Sequence, residues 1–285
     1  MVNETYKVRN LCDVKRAPDL MVNEYDFETY RDQNAEYIFK PIKDYRALGT
    51  LNDVFHSKFL RAMGEKAVEN ELTSGDGKRG LLSKMYCDRD ASRIGLDAYK
   101  TVYHAENGVK CFQNLDLEKY IAENRRCEGN PEFRDDLIRA WLASSVTGNL
   151  DQIKCRNVQW YLPEDKTYRA IFAPNHDFEF CTLMADDEFL QSCQFYEMFK
   201  DAKTVIDRGF EPRNIDYLKY EHPEILRDFI DRLNALKGSP VFPAICDFQN
   251  LGEFFGTQQS KMDELSAQMY TGYKKRIDKM TDQSL

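Results

Sequence analysis

The sequence predicts an α+β protein in two unequal parts: a small strand-rich N-terminal part, residues 1–88, and a larger helical part, residues 89–285, with one inserted β-hairpin. Three observations predict this. Apolar and polar residues alternate in short runs before about residue 90, three-to-four apolar spacing dominates after it, and one later stretch returns to alternation.

Taken in order, Tyr6-Lys7-Val8 and Leu20-Met21-Val22 read as short strands, and Ala35 to Lys40 alternates up to Pro41. A helix follows, with Leu51, Val54, Phe55, Phe59, Leu60 and Met63 on one face, His56 on or beside that face, and Gly64 placed to stop it. The turn cluster Ser74-Gly75-Asp76-Gly77 precedes a strand over Arg79 to Cys87. Leu115 to Asn124 is a short amphipathic helix. The next is the best delimited: Asn130 as N-cap, Pro131 at the first helical position, Phe133, Leu137, Trp141 and Ser144 on one stripe, and Gly148 at the end. Val158, Trp160 and Leu162 then alternate, residues 163–167 turn the chain, and Tyr168 to Ala173 returns as the second arm of a hairpin. Helices are expected over Asp187 to Lys200, Pro223 to Lys237 with Gly238 as terminator, and Ser260 to Met280 with Ser260 and Asp263 as a capping box.

Composition narrows the function. The chain has 285 residues, 42% of them apolar, so it can bury a core without staples. Forty basic against 48 acidic side chains leave a net charge of −8, which repels a phosphate backbone and argues against duplex-DNA binding by the chain itself. The eight cysteines contain no CxxC and the four histidines no ligand spacing, which reads as reduced, mostly buried thiols without a zinc site. No apolar run reaches the ~18 residues of a membrane span, and the first thirty residues are acidic; a cytoplasmic protein without a membrane segment is expected.

The chemistry gathers around the hairpin. With its turn near Asp165 and its strands about 4.8 Å apart, Asp151, Asn157 and Asp177 come to one end of it. Phosphoryl transfer needs such a set: an acceptor for a hydroxyl proton and hard oxygen ligands for Mg²⁺. Taken alone, turn-forming Asp and Asn are the commoner explanation. Lys40, ending one strand, and Asp53, beginning the next helix, add the topology in which a strand lysine reaches nucleotide phosphates and a helix carboxylate braces it.

In order along the chain, YIFKP (37–41), Asn52-Asp53 with its helix ending in Met63-Gly64, LLSKMY (81–86), TGNLDQIKCRN (147–157) and APNHDFE (173–179) resemble segments of the bacterial HipA-like serine/threonine kinases, whose C-lobe is similar to that of phosphoinositide-kinase-like enzymes. The resemblance covers about residues 35 to 185 and implies a two-lobed protein-kinase-like fold. It implies that Lys40 contacts ATP, with Asp53 in place of the usual partner glutamate. Backbone groups of Met85, Tyr86 and Cys87 would pair with adenine, Asp151 would be the catalytic base, and Asp177 and Asn157 would hold Mg²⁺. It further implies ATP and Mg²⁺ as cofactors, a protein substrate or the chain itself as phosphate acceptor, and a partner of the antitoxin kind. Two departures favour the alternative of a catalytically weak pseudokinase that binds nucleotide or a partner. Five residues, not four, separate Asp151 from Asn157, with Ile153 where histidine is usual, and no glycine precedes Gly49 to cover the phosphates.

Overall fold

The computed structural model describes residues 4–17, 28–42, 47–85, 100–101, 116–123, 127–149, 159–161, 171–172 and 210–285. Its strands are β1 (Arg9–Asn10), β2 (Lys15–Arg16), β3 (Glu28–Arg31), β4 (Glu36–Pro41), β5 (Asn70–Gly75), β6 (Lys78–Lys84), β7 (Lys100–Thr101), β8 (Gln159–Tyr161) and β9 (Ile171–Phe172). Its helices are α1 (Ala47–Ala62), α2 (Leu117–Glu123), α3 (Pro131–Thr147), α4 (Pro212–Glu221), α5 (Pro223–Gly238), α6 (Val241–Ile245), α7 (Gly252–Phe255) and α8 (Gln259–Ser284). The first six strands form one sheet in the order β1-β5-β6-β4-β3-β2, antiparallel except where β1 runs parallel to β5.

That sheet must curl. Its two edge strands, β1 and β2, are joined by Leu11 to Val14 alone, and a chain of five peptide steps spans at most about 18 Å. Six flat strands would set the edges about 24 Å apart. The short link is a 3₁₀ turn, Leu11–Asp13, capped by the Asn10 side chain accepting from Cys12 N at 3.0 Å. Inside the curl Leu11, Val14, Tyr30, Tyr37, Phe39 and Leu82 form a small core of their own. Arg9 closes it, reaching Asp32 in the β3-β4 turn at 2.7 Å and Glu71 on β5 at 3.1 Å. Although burial alone would raise the Asp32 carboxyl, the hydrogen bonds from Arg9, Tyr37 and the amides of Asn34 and Ala35 hold it well below the usual carboxylate range.

The opposite face of the sheet meets α1, and there the sequence expectation needs correction. The helix is buried almost all round, not along one stripe: Asn52, Asp53, His56 and Ser57 are as enclosed as Val54, Phe55 and Phe59. One side packs on β5 and β6, the other on α6, so polar residues of α1 carry internal bonds. Its exit is held by a cluster of charges. Buried Glu65 accepts from Arg139 of α3 at 2.9 Å, Arg139 also bonds Asp228 of α5 at 2.5 Å, and Arg232 donates to the Gly64 carbonyl at 3.2 Å.

The helical part is built as its punctuation suggests, with exceptions. Asn130 accepts from Phe133 N at 3.2 Å, Pro131 opens α3, and Gly148 closes it in the left-handed region at φ 61°. Gly238, read as a terminator, lies inside α5, whose cap is Ser239. The Ser260 capping box does not form: α8 starts one residue earlier with Gln258 at the cap, and the Gln259 side chain donates to Asp263 at 2.8 Å. Tyr6 ends a 3₁₀ turn, Glu4–Tyr6, and is no strand residue; its ring is buried against Phe248 and its hydroxyl donates to the Ile245 carbonyl. Helices α4, α6 and α7 and strands β1, β2, β3, β5 and β7 were not anticipated. The expected strand at Leu20 to Val22 and helix at Asp187 to Lys200 lie outside the described residues.

Candidate active site

Alternation along β4 decides where Lys40 points. Tyr37 and Phe39 face the small inner core, so Ile38 and Lys40 face the other way, toward α1, and Lys40 pairs in register with Leu81, a member of the core under α1. The Lys40 Nζ lies 3.5 Å from Asp53 Oδ2; the lysine side chain is 26% exposed and the carboxylate 4%. Strand and helix thus meet at the pair expected from the sequence, with the ammonium at the water-accessible end. The close approach of β6 helps to place it. At Gly80, across from Pro41, any Cβ would stand 2.5 Å from the Lys40 carbonyl oxygen and 2.6 Å from the Phe39 ring.

The turn of α1 that carries Asp53 is tied to β5. Asn70 donates through Nδ2 to the Asp53 carbonyl at 3.0 Å, its own amide donates to the Ser57 hydroxyl at 3.3 Å, and that hydroxyl donates to the Val68 carbonyl at 2.5 Å. One turn on, His56 Nδ1 lies 2.9 Å from the Asn52 carbonyl and must donate to it. Burial pushes this imidazole down to about 3, so it is neutral and its Nε2 accepts from the Tyr273 hydroxyl.

The remaining predicted residues divide in two. Met85 follows β6 and its amide donates to the Glu36 carbonyl at 2.8 Å. Tyr86, Cys87, Asp151, Asn157 and Asp177 lie outside the described residues. The hairpin forms, with Trp160 paired to Phe172 and Tyr161 to Ile171, so its register centres at 166, one residue past the expected Asp165; β7 adds a third strand beside β8. Helix α3 packs against β9, and its left-handed Gly148 and fully buried Asn149 lead toward Asp151. No group of metal-ligating side chains occurs among the described residues.

Sequence reasoning missed Asn70, Ser57, Tyr273 and Arg276. Arg276 alone carried a signal: it interrupts the apolar stripe Met262, Leu265, Met269, Tyr273, Met280 of α8, and there it is buried, donating through Nε to the Val146 carbonyl at 2.8 Å and through Nη2 to that of Ser145.

No protein-family model and no curated protein matches the chain. Solved structures do. The chain aligns with the proinflammatory kinase CtkA of Helicobacter pylori at a TM-score of 0.57 and 14% identity, over 96% of this chain and 99% of that one. A chain of the Shewanella oneidensis toxin–antitoxin complex of HipA, HipB and operator DNA aligns at a TM-score of 0.46 and 12% identity, over 86% of this chain and 60% of that one. The molecule therefore has a protein-kinase-like α+β fold. In particular it has the fold of the CtkA kinase over nearly its whole length.

Proposed function

We propose that this chain is an ATP- and Mg²⁺-dependent protein serine/threonine kinase of the HipA-like type. The observation that carries the reading is the Lys40–Asp53 pair, set between the central strand β4 and a fully embedded α1 in a chain with a kinase's fold. A lysine ammonium held beside a buried carboxylate, with its side chain 26% exposed, is the kind of cation an ATP anchor requires. In this reading residues 1–88 form the N-lobe and residues 89–285 the C-lobe. Asp53 fixes the lysine, backbone groups from Met85 to Cys87 receive adenine, and Asp151 accepts the proton of the attacking hydroxyl. Asp177 and Asn157 offer the hard oxygen ligands Mg²⁺ prefers, and the bound ion supplies neutralisation of phosphate charge. Phosphorylation of its own chain and a partner of the antitoxin kind rest on the motif resemblance, and a cytoplasmic location on the composition. The described helices include none long and apolar enough to cross a membrane.

The test is transfer of labelled γ-phosphate from ATP in the presence of Mg²⁺ to the chain or to added protein. Wild type is expected to transfer label, and Asp177→Ala to lose it while keeping its fold. Transfer by Asp151→Asn at the wild-type rate removes Asp151 from the role of base. A second reading, the pseudokinase that binds nucleotide without transfer, is favoured by the five residues between Asp151 and Asn157; it is the outcome if ATP binds and no label moves.

A further inference from the structure

The last helix, α8, touches both α1 and the end of α3. Tyr273 and Arg276 stand three residues apart and so share a face of α8. The Tyr273 hydroxyl donates to His56, three residues beyond Asp53 on α1, while Arg276 reaches the end of α3, from which the segment bearing Asp151 departs.

A helix leaves its last carbonyls without internal partners and its C-terminus partially negative. In α3 the final helical bond runs from Gly148 N to the Ser144 carbonyl at 2.8 Å. The next two carbonyls, Ser145 and Val146, are the ones that Arg276 takes with its fork. A planar guanidinium suits this task, because Nε and Nη2 are held at a fixed spacing and meet two carbonyls at once. The site is built: Arg276 is 6% exposed, and Ser144, Ser145, Val146, Thr147 and Asn149 are all fully enclosed. Burying a cation is costly, and a hydrophobic side chain of similar volume is often no less stable in such a place. Stability is therefore a poor reason for arginine here; holding the direction in which the chain leaves α3 is a better one.

We infer that Arg276 is a positioning residue for phosphoryl transfer. It fixes the end of α3, and with it the approach to Asp151, relative to the α1 helix that Tyr273 holds. The inference rests on the kinase reading of Asp151.

The test uses the full chain and two variants, Arg276→Met, which keeps bulk, and Arg276→Lys, which keeps charge and loses the fork. Arg276→Met is expected to lower kcat by about 10- to 100-fold with KM for ATP changed less than about twofold, and Arg276→Lys to recover part of the loss. Amide hydrogen exchange supplies a readout independent of turnover: residues 148–158 should exchange faster in Arg276→Met while amides of α1 and α5 keep their protection. Unchanged kcat per folded molecule together with unchanged exchange at 148–158 overturns the inference, even if the melting temperature falls. Wild type that transfers no phosphate, with exchange still accelerated in Arg276→Met, rejects the kinase reading and upholds the anchor.

Discussion

At the scale of residues, the pair at 40 and 53 bears on both affinity and stability. The Asp53 carboxylate is only 4% exposed, so removing the cation 3.5 Å from it costs more than breaking an exposed pair. Lys40→Met should therefore melt below wild type and, per folded molecule, bind ATP much more weakly. Lys40→Met and Asp53→Ala should be non-additive in nucleotide affinity if they act as one unit, and simple additivity in calorimetric titrations would dissolve the unit. His56 gives a pH prediction. The unfolded imidazole takes a proton near 6.5 and the buried one only near 3, so between these values the unfolded state binds more protons and stability falls as pH falls. The loss from this group between pH 7 and pH 5 is about 2 kcal/mol. Denaturant titrations of His56→Gln should show a loss over that interval smaller by this amount; an equal loss would clear the imidazole. Lys40 was legible because strand alternation is a local pattern, whereas the helix expected to begin at Asp53 starts at Ala47, six residues earlier, so Asp53 lies in its second turn. Asn70 and Arg276 were not legible, since their partners lie 17 and 130 positions away and no spacing rule reaches so far.

At the scale of elements, the glycine that matters near Lys40 is not in a loop. Gly80 lies on β6 and serves the close approach of β6 to β4, not the covering of a nucleotide by a loop. Gly80→Ala must push the Lys40 carbonyl or the Phe39 ring aside, and overpacking of this kind costs about 1–3 kcal/mol. Chemical denaturation should register that loss together with weaker ATP binding; an alanine variant as stable as wild type would mean that β4 and β6 stand farther apart than described. The β5-β6 hairpin was half legible. Asp76 and Gly77 both take positive φ, 51° and 72°, as a two-residue Asp-Gly turn requires, so the same turn that announced β6 also announced β5 on its other side. Helix α3 was read correctly at both ends because its cap, proline and terminal glycine are all local. Gly238 misled because a glycine can sit in the last turn of a helix without turning left-handed.

At the scale of the molecule, one continuous hydrophobic core runs from Tyr6 and α1 through α3 and α5 to α8. Arg79 adds a tie from the sheet to α7, donating to the carbonyls of Glu253 at 3.1 Å and Phe254 at 2.8 Å. The change from strand to helix periodicity was visible in the sequence, but the curl of the sheet and the embedding of α1 depend on contacts between distant segments. That embedding underlies the proposal that the lysine of β4, beside a helix that the core locks in place, receives the phosphates of ATP. The most direct measurement is the thermal stability of wild type and Lys40→Met with and without Mg²⁺ and ATP. At about 100 times its dissociation constant, nucleotide that binds only the folded wild type should add about 2.7 kcal/mol of stability, with most of that gain absent from Lys40→Met at the same concentration. An equal shift in both proteins, or none in wild type with any nucleotide, would contradict it.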